Sequence, residues 1–435
     1  MITRRPTDQA PPRAEEPRIP REVWVLVVAA FCVAIGYGIV APVLPAYAAS
    51  FNVSIQAASA IVSVFAAMRL IFAPPAGALV GRLGERAVYL TGLLIVAVST
   101  GLCALATSYE QLLLFRGAGG IGSTMFTVSA MALLTRVAPP TLRGRIASLY
   151  GAGFLVGTIA GPVLGGLLSG LGYRVPFLVY AATLLAAAAV VAFFLSGTTL
   201  RSDTAGEGRP VMPVREAFAD SAYRALLVSG FANGWANFGV RVSLLPLFAA
   251  AVPGLGVAWA GIALTVFGIG NAVALSVAGR AVDRMGRKPL IVGGLIVNGL
   301  GTAAVGFAHS AVALIVVSVV GGIGAGILNP AQQACASDVV GQDRNGGKVL
   351  ATYQMFSDAG AIAGPVVAGG IADAVGFGWA FGVSGALSLL AALAWISARE
   401  TIPREPRHAD DSDGQEPRGQ VETRAQGVTG PEPAP

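Results

Sequence analysis

Four charged side chains interrupt segments of the sequence that are otherwise almost entirely apolar. They are Arg69, Arg116, Arg241 and Asp358, and Asp358 is the only carboxylate deep inside such a segment. A charge inside a bilayer costs several kcal/mol unless it is paired or faces water, so such residues mark ion or substrate pathways. The chemistry that these residue types permit is proton exchange at a carboxylate whose arginine neighbours can move.

The depth of these residues within their segments relates two of them to each other. Counting about 1.5 Å per helical residue places Arg69 and Asp358 at a similar depth, about 15 Å from the same end of their segments. Arg241 has two possible roles, because its long side chain could also extend outward to the lipid surface and serve only a structural purpose.

The elements that must position these charges are membrane helices. Hydrophobic residues make up 54% of the 435 residues and charged residues only 12%, whereas about a quarter of the residues in a soluble domain are charged. The apolar segments are about 20 residues long, the length that crosses a hydrocarbon core of about 30 Å. We place twelve spans near residues 23–46, 56–79, 88–107, 111–134, 148–170, 175–197, 225–249, 258–280, 289–309, 311–334, 350–372 and 377–397.

Polar segments divide the spans into two sets of six. The predicted organisation is a disordered tail at 1–22, a six-helix bundle at 23–197, a linker at 198–224, a second bundle at 225–397 and a disordered tail at 398–435. Basic residues concentrate in the loops after even-numbered spans, with Arg174 as the exception. The positive-inside rule therefore predicts that both termini and the linker are cytoplasmic. The strong preference for arginine over lysine indicates a bacterial source, and hence the inner membrane of a bacterium.

The two sets of spans are repeats of each other. At an offset of 201–203 residues, Gly38 and Pro45 match Gly239 and Pro246, and the stretch 119–122 recurs unchanged at 321–324. An offset of six helices, an even number, predicts parallel repeats related by an axis along the membrane normal.

The chain resembles the major facilitator superfamily in its drug:proton antiporter branch, over about residues 23–397. Three motifs carry the resemblance. The first copy of the loop motif contributes Gly77, Arg82, Gly84 and Arg86. The second copy contributes Gly279, Asp283, Arg284, Gly286, Arg287 and Lys288. The antiporter pattern of the fifth helix is complete in Gly157, Gly161, Pro162, Gly165 and Gly166.

The resemblance implies an all-α fold of twelve transmembrane helices in two pseudo-symmetric bundles that rock around a central cavity. It places the loop motif at a cytoplasmic gate, with Asp283 facing the start of the fifth helix; in the first copy Gly81 replaces this acid. It also connects Arg116 with proton transfer. In the fifth helix, Gly157, Gly161 and Gly165 share one face and permit close approach of another helix.

In such proteins helices 2 and 11 are neighbours, which leads to a specific hypothesis about Asp358. We expect Arg69 and Asp358 to pair across the two bundles, and Asp358 to exchange its arginine for a proton as the cavity changes sides. The alternative is a static pair that only holds the helices together.

The resemblance also suggests that helices 1, 4, 7 and 10 line the cavity. Amide and aromatic residues on three of these helices suit a mostly apolar, partly polar solute, although each could instead hydrogen-bond between helices. The predicted lining residues are Tyr37, Asn233, Trp235, Asn237, Phe238, Asn329, Gln332 and Gln333.

The predicted function is proton-coupled efflux of a small molecule. A proton-driven importer of a metabolite or sugar is the alternative, and a receptor or scaffold that transports nothing is a third possibility. No nucleotide-binding, metal-binding or nucleophile–base motif appears in the sequence, and no basic stripe typical of nucleic-acid binding. We therefore expect no enzymatic activity, cofactor, metal or nucleic-acid partner, and a protein that functions as a monomer in the bilayer.

Overall fold

The computed structural model describes residues 19–137, 142–195, 210–341 and 343–402, apart from the side chains of Thr135, Arg143 and Asp283. The expected tails at 1–22 and 398–435 lie mostly outside these ranges. The long helices of the described part of the chain are, in order, α1 (Arg21–Val40), α2 (Ile55–Leu83), α3 (Glu85–Leu105), α4 (Tyr109–Val137), α5 (Arg143–Leu168), α6 (Arg174–Phe194), α7 (221–251), α8 (Val257–Met285), α9 (Arg287–Val305), α10 (Ala311–Val340), α11 (Gly347–Val375) and α12 (Phe377–Ala394).

The helices correspond to the twelve predicted spans. All except α7 are long and apolar enough to cross a membrane. Helix α7 is a continuous run of three pieces, the α-helix Ser221–Asn233, the π-helix Gly234–Val240 and the α-helix Arg241–Ala251. The prediction of an all-helical membrane protein is therefore confirmed.

The first span is shorter than predicted. Helix α1 ends at Val40, and a separate short helix, Leu44–Ala49, follows it. Pro42 explains the break, because proline has no amide hydrogen and its ring clashes with the carbonyl four residues earlier in a continuing helix.

Helix pairing is the same in the first six and the last six helices. In the first six, α1 packs on α5 and α6, α3 on α4 and α6, and α2 on α4. In the last six, α7 packs on α11 and α12, α9 on α10 and α12, and α8 on α10. The repeat found in the sequence is thus a repeat of helix contacts.

Single glycines make the tight connections between α2 and α3 and between α8 and α9. Gly84 has φ +82° and Gly286 has φ +101°. This is a backbone region that side chains disfavour and glycine adopts freely. These two glycines occupy the same position in the two copies of the loop motif, so the motif encodes a one-residue reversal between helices.

The glycines of the α5 motif bring α5 against α1. A methyl group on Gly157 would lie 2.7 Å from the Cβ atom of Ala34, and one on Gly161 would lie 2.6 Å from the Cα atom of Gly38. The predicted close approach is therefore present, and its partner is a helix of the same half.

Replacing Gly165 with alanine is expected to destabilise the protein by about 1–3 kcal/mol, the usual cost of overpacking. The new methyl group would lie 1.9 Å from the carbonyl oxygen of Ile39. Gly144→Ala, on the same helix, is the matched control because a methyl group there meets no atom within 4 Å. We expect the melting temperature of the purified protein in detergent to fall for Gly165→Ala and to hold for Gly144→Ala. Equal melting temperatures would contradict the packing role.

Residues just beyond α12 are tied to the bundle, although the sequence indicated a tail from residue 398. The Glu400 carboxylate accepts hydrogen bonds from the backbone amides of Arg287 and Lys288 at the start of α9, at 3.0 and 3.1 Å. Partial burial opposes ionisation of Glu400, but the amides of Arg287, Ile402, Lys288 and Thr401 hold its pKa below the ordinary value. A carboxylate at a helix N-terminus is favourable, which explains why this charged segment is ordered.

Candidate functional site

Two adjoining cavities occupy the centre of the bundle. The smaller, about 230 Å³, lies among α1, α2, α4, α7 and α11, and the larger, about 670 Å³, lies among α1, α5, α7 and α8. Tyr37, Ala41, Phe238 and Val242 border both cavities. Tyr37 and Phe238, which the sequence analysis proposed as lining residues of one central cavity, thus lie between two spaces.

All four charges identified from the sequence border these cavities. Arg69, Arg116 and Asp358 line the smaller one, and Arg241 lines the larger one. Sequence spacing therefore identified residues that the fold brings together from four different helices.

Arg69 and Asp358 face the same cavity but do not form the direct ion pair expected from the sequence. Arg69 Nη1 donates to Ser123 Oγ at 3.3 Å, and the Asp358 carboxylate accepts from Gln354 Nε2 at 3.0 Å. Each side chain is therefore held by a partner from its own half. Helices α2 and α11 are neighbours as predicted, since Ser63 Oγ donates to the carbonyl of Ile362 at 2.6 Å.

Arg116 is buried in the first half, with 5% of its surface exposed. Its guanidinium carbon lies 3.9 Å from the ring centroid of Phe65 and 5.9 Å from that of Tyr37. Its Nε atom is buried without a hydrogen-bond acceptor. Aromatic faces stabilise a cation without neutralising it, so the positive charge of Arg116 remains available to the cavity.

Arg241 points into the protein, which excludes the outward, lipid-facing alternative. Only 3% of its surface is exposed, and it directly follows the π-helical segment of α7. Nη2 donates to Thr302 Oγ1 at 3.2 Å, and the guanidinium carbon lies 4.1 Å from the ring centroid of Phe267. The Nε and Nη1 atoms are buried without any acceptor.

Most of the amides predicted to line the cavity hydrogen-bond to each other. Asn237 Nδ2 donates to Asn233 Oδ1 at 2.7 Å, and Asn233 Nδ2 donates to Asn329 Oδ1 at 3.0 Å and Gln332 Oε1 at 3.3 Å. Of these amides, Asn237 is the one that borders one of the two cavities described here. The alternative of hydrogen bonding between helices therefore describes Asn233, Asn329 and Gln332.

The amide chain continues through residues that the sequence analysis did not select. Asn298 Nδ2 donates to Asn237 Oδ1 at 3.0 Å, and Thr302 Oγ1 lies 3.4 Å from Asn298 Oδ1. Tyr353 donates to Gln332 at 3.2 Å. The chain thus connects Arg241 on α7 with α9, α10 and α11, and a lone asparagine within an apolar span was the signal for Asn298.

Two other predicted lining residues, Trp235 and Gln333, border neither of the two cavities. Trp235 donates from Nε1 to Ser384 Oγ on α12 at 3.1 Å. Gln333 is exposed; it directly follows Gln332 on α10 and therefore lies on an adjacent face of that helix.

The loop-motif charges bind groups within their own halves. Arg86 donates to the carbonyl of Ala192 at 2.8 Å, and Arg287 Nε forms an ion pair with Asp338 at 2.9 Å. Lys288 Nζ donates to the carbonyls of Ile396 and Ala398 at 3.0 and 2.8 Å.

The remaining members of the loop motif form no hydrogen bond or ion pair between the two halves among the described residues. Arg82 and Arg284 are exposed. A methyl group on Gly77 or Gly279 would meet no atom within 4 Å. The side chain of Asp283 lies outside the described residues, so its expected contact with the start of α5 stays a prediction.

One end of the bundle is closed by contacts between the two halves. We call this the distal end; it is the end at which α2 and α8 begin, and the opposite end, at which α1 begins, is the terminal end. Thr265 on α8 donates to the carbonyl of Ile159 on α5 at 2.9 Å. A methyl group on Gly261 would lie 2.3 Å from the carbonyl oxygen of Pro162, so only glycine fits there.

A second distal contact joins α2 to α11. The Asp373 carboxylate accepts hydrogen bonds from the amides of Ile55 and Gln56, at 2.9 and 2.8 Å, and so caps the start of α2. Toward the terminal end the described parts of the same helices are less crowded: methyl groups on Gly81 and Gly151 would meet no described atom within 4 Å. The cavities are therefore sealed distally, and the helices around them are less crowded toward the terminal end.

Comparison with known proteins agrees with this architecture. The family model described as Major Facilitator Superfamily matches residues 26–264 and 226–429. The chain is 31% identical over 392 residues to a class C tetracycline resistance protein from Escherichia coli, covering 85% of this chain and 96% of that protein. It is 28% identical over 358 residues to multidrug resistance protein 1 of Bacillus subtilis, covering 80% and 89%.

Solved structures share the fold at lower identity. A bacterial homologue of the human lysosomal transporter Spinster, in an inward-facing and unoccupied conformation, superposes with a TM-score of 0.73 at 16% identity. The match covers 88% of this chain and 97% of that one. At this identity the likeness concerns the fold alone.

Proposed function

This chain belongs to the Major Facilitator Superfamily and is a multi-pass membrane transporter, and from this premise we propose that it exports a small, partly apolar molecule in exchange for protons by alternating access. The observation that carries the proposal is a central cavity that holds charged residues and is closed at one end by contacts between the two halves.

Export is favoured over import by two observations. The α5 glycine–proline pattern is complete, and its glycines contact two different helices. Gly157 and Gly161 pack on α1, whereas Gly166 approaches Ala258 of α8. The same helix therefore packs tightly within the first half and also forms part of the interface along which the two halves must move. Relatives over most of the chain are named for resistance to tetracycline and to multiple drugs.

Proton coupling is proposed to reside at Asp358. Among the described residues that border the two cavities it is the only carboxylate, and it lies on a helix at the interface between the halves. With the termini in the cytoplasm, as the positive-inside rule predicts, the conformation with a sealed distal end is the one that loads substrate from the cytoplasm. The expected site is the inner membrane of a bacterium.

The proposal is tested in inside-out vesicles with an acidic lumen. Adding a transported solute to the medium is expected to alkalinise the lumen, because an antiporter releases protons as it takes the solute in. Tetracycline, ethidium and dansylglycine serve as probes of different charge, with vesicles lacking the protein as the control. A proton-coupled importer gives no alkalinisation from this side, and a scaffold gives no solute flux in either direction, so both outcomes would contradict export.

A further inference from the structure

The charges around the central cavities do not balance. In the parts of the chain that the structure describes, their lining contains three guanidinium groups, Arg69, Arg116 and Arg241, and one carboxylate, Asp358. Three positive charges and one negative charge leave a net charge of +2 on the walls. Within a low-dielectric bundle such a field attracts anions and repels cations.

Arg241 is the group that most needs an anion. A guanidinium has five N–H donors, and the three on Nε and Nη1 are buried without an acceptor. Its Nη2 atom donates to the neutral Thr302 hydroxyl. Leaving a charge buried and unpaired is strongly unfavourable in a folded protein, so such a group is retained where a ligand completes it.

The surroundings of Arg241 hold the charge in place without neutralising it. Phe267 provides an aromatic face on one side, and Gly321 leaves room on another, since a methyl group there would lie 2.8 Å from Nη2. At the offset of the repeat, Phe65 is the counterpart of Phe267. The guanidinium of Arg116 stacks on the Phe65 ring, as that of Arg241 stacks on Phe267. Each half thus presents one arginine stacked on an equivalent phenyl ring.

The volume and walls of the larger cavity indicate the size and polarity of the part of the ligand that Arg241 does not bind. Its volume of about 670 Å³ is in the range of drug-sized sites. Its walls are mainly apolar, with Phe154, Leu155, Leu264 and Leu275 among them, and Asn237 and Asn271 add neutral polar groups. An apolar cavity with a buried cation at its edge suits a molecule that has an apolar body and one anionic group.

We propose that the substrate is an amphipathic organic anion, and that Arg241 binds its carboxylate while the apolar wall of the larger cavity holds its body. Arg241 is then a residue that determines substrate specificity and is separate from the proton site at Asp358. This inference rests on the proposed transport function, because it assigns the substrate class of the same central site.

The test uses matched pairs of acids and amides that differ in charge and little in shape. Binding of dansylglycine and dansylglycinamide, and of 2-naphthoate and 2-naphthamide, is measured by fluorescence on the purified full chain in detergent. We expect each acid to bind at least about tenfold more tightly than its amide, a difference that corresponds to about 1.4 kcal/mol. Equal binding within both pairs, or no binding of either acid, overturns the proposal.

Variants at Arg241 identify the contact. Arg241→Gln is expected to lose the preference for the acids and to keep its weak amide binding, whereas Arg241→Lys retains part of the preference. Arg224→Gln, an exposed arginine on the same helix, is the control and should bind like the wild type. Because Arg241→Gln removes an unpaired buried charge, its melting temperature without ligand should equal or exceed that of the wild type.

These outcomes separate the two proposals. A lower melting temperature for Arg241→Gln with an intact preference for the acids overturns the anion site and supports a purely structural role. Selective acid binding without proton-coupled flux supports the anion site and counts against the transport mechanism.

Discussion

Replacing Asp358 with asparagine is expected to reduce proton-driven transport at least about tenfold, because this change removes a carboxylate that faces the cavity and that can take up a proton. Asparagine has nearly the same shape, and its side-chain oxygen can still accept the hydrogen bond that Gln354 donates at 3.0 Å. The change therefore removes the titratable group with little effect on packing. The measurement is luminal alkalinisation in inside-out vesicles, with whichever probe solute the wild type carries.

Exchange without a proton gradient distinguishes loss of the proton step from general damage. Asp358→Asn should still exchange labelled for unlabelled solute at a rate near that of the wild type, since substrate-loaded movement does not require the proton. Glu216→Gln, which neutralises an exposed carboxylate paired with Arg344 outside the membrane spans, is the control and should leave both activities unchanged. Undiminished alkalinisation by Asp358→Asn would remove Asp358 from the mechanism.

Arg69 belongs to the same proposal although the two side chains do not pair in this conformation. Arg69 is exposed to the cavity and is bound to Ser123 on its own half, and Asp358 is bound to Gln354 on the other. Both partners are neutral, so each charge is free to approach the other when the halves rock. A static pair that holds α2 to α11 is not what the geometry provides.

The sequence predicted the features that depend on the bilayer and on the repeat. The length of each span follows from the thickness of the membrane, so the sequence alone places the spans. The glycines at 84 and 286 correspond because each ends one helix and begins the next with a positive φ. The adjacency of α2 and α11 followed from the family resemblance and is confirmed by the Ser63 contact.

The direction of individual side chains could not be predicted in this way. Arg241 could turn outward or inward on an apolar helix, and only the positions of Thr302 and Phe267 on other helices decide between them. The amides behaved similarly, because a buried amide can satisfy a neighbour or face a cavity with the same sequence pattern. Glu400 was assigned to a disordered tail because composition does not reveal that helix α9 offers unpaired amides to it.

The contact between Asp373 and the start of α2 is expected to influence the balance between the protein's conformations. The first amides of a helix lack partners within the helix, and Asp373 of the other half supplies acceptors for those of Ile55 and Gln56. Ser54 accepts from the third, that of Ala57, at 3.1 Å. Opening the distal end must break the two bonds to Asp373, so this residue stabilises the distally sealed state.

Removing this cap should shift the protein toward the state that is open at the distal end. Loss of a capping side chain costs about 0.5–2 kcal/mol, and the exposure of Asp373 argues for no more than that range. A shift of about 0.5–2 kcal/mol changes a population ratio by about 2- to 30-fold. Asp373→Ala should therefore expose the cavity to reagents from the distal side several times more often than the wild type does.

Labelling of a cysteine in the cavity measures this shift. Cys32, Cys103 and Cys335 are first replaced by alanine, and Ala41→Cys then places a thiol on the wall shared by both cavities. A membrane-impermeant maleimide added to intact cells should label Asp373→Ala about 2- to 30-fold faster than the parent, and Asp373→Asn, which keeps an acceptor oxygen, should fall between them. Asp343→Ala removes an exposed acid at the terminal end and should label at the parental rate. An unchanged rate for Asp373→Ala would show that the cap does not hold the distal seal, and a faster rate for Asp343→Ala would show that loss of negative charge alone opens it.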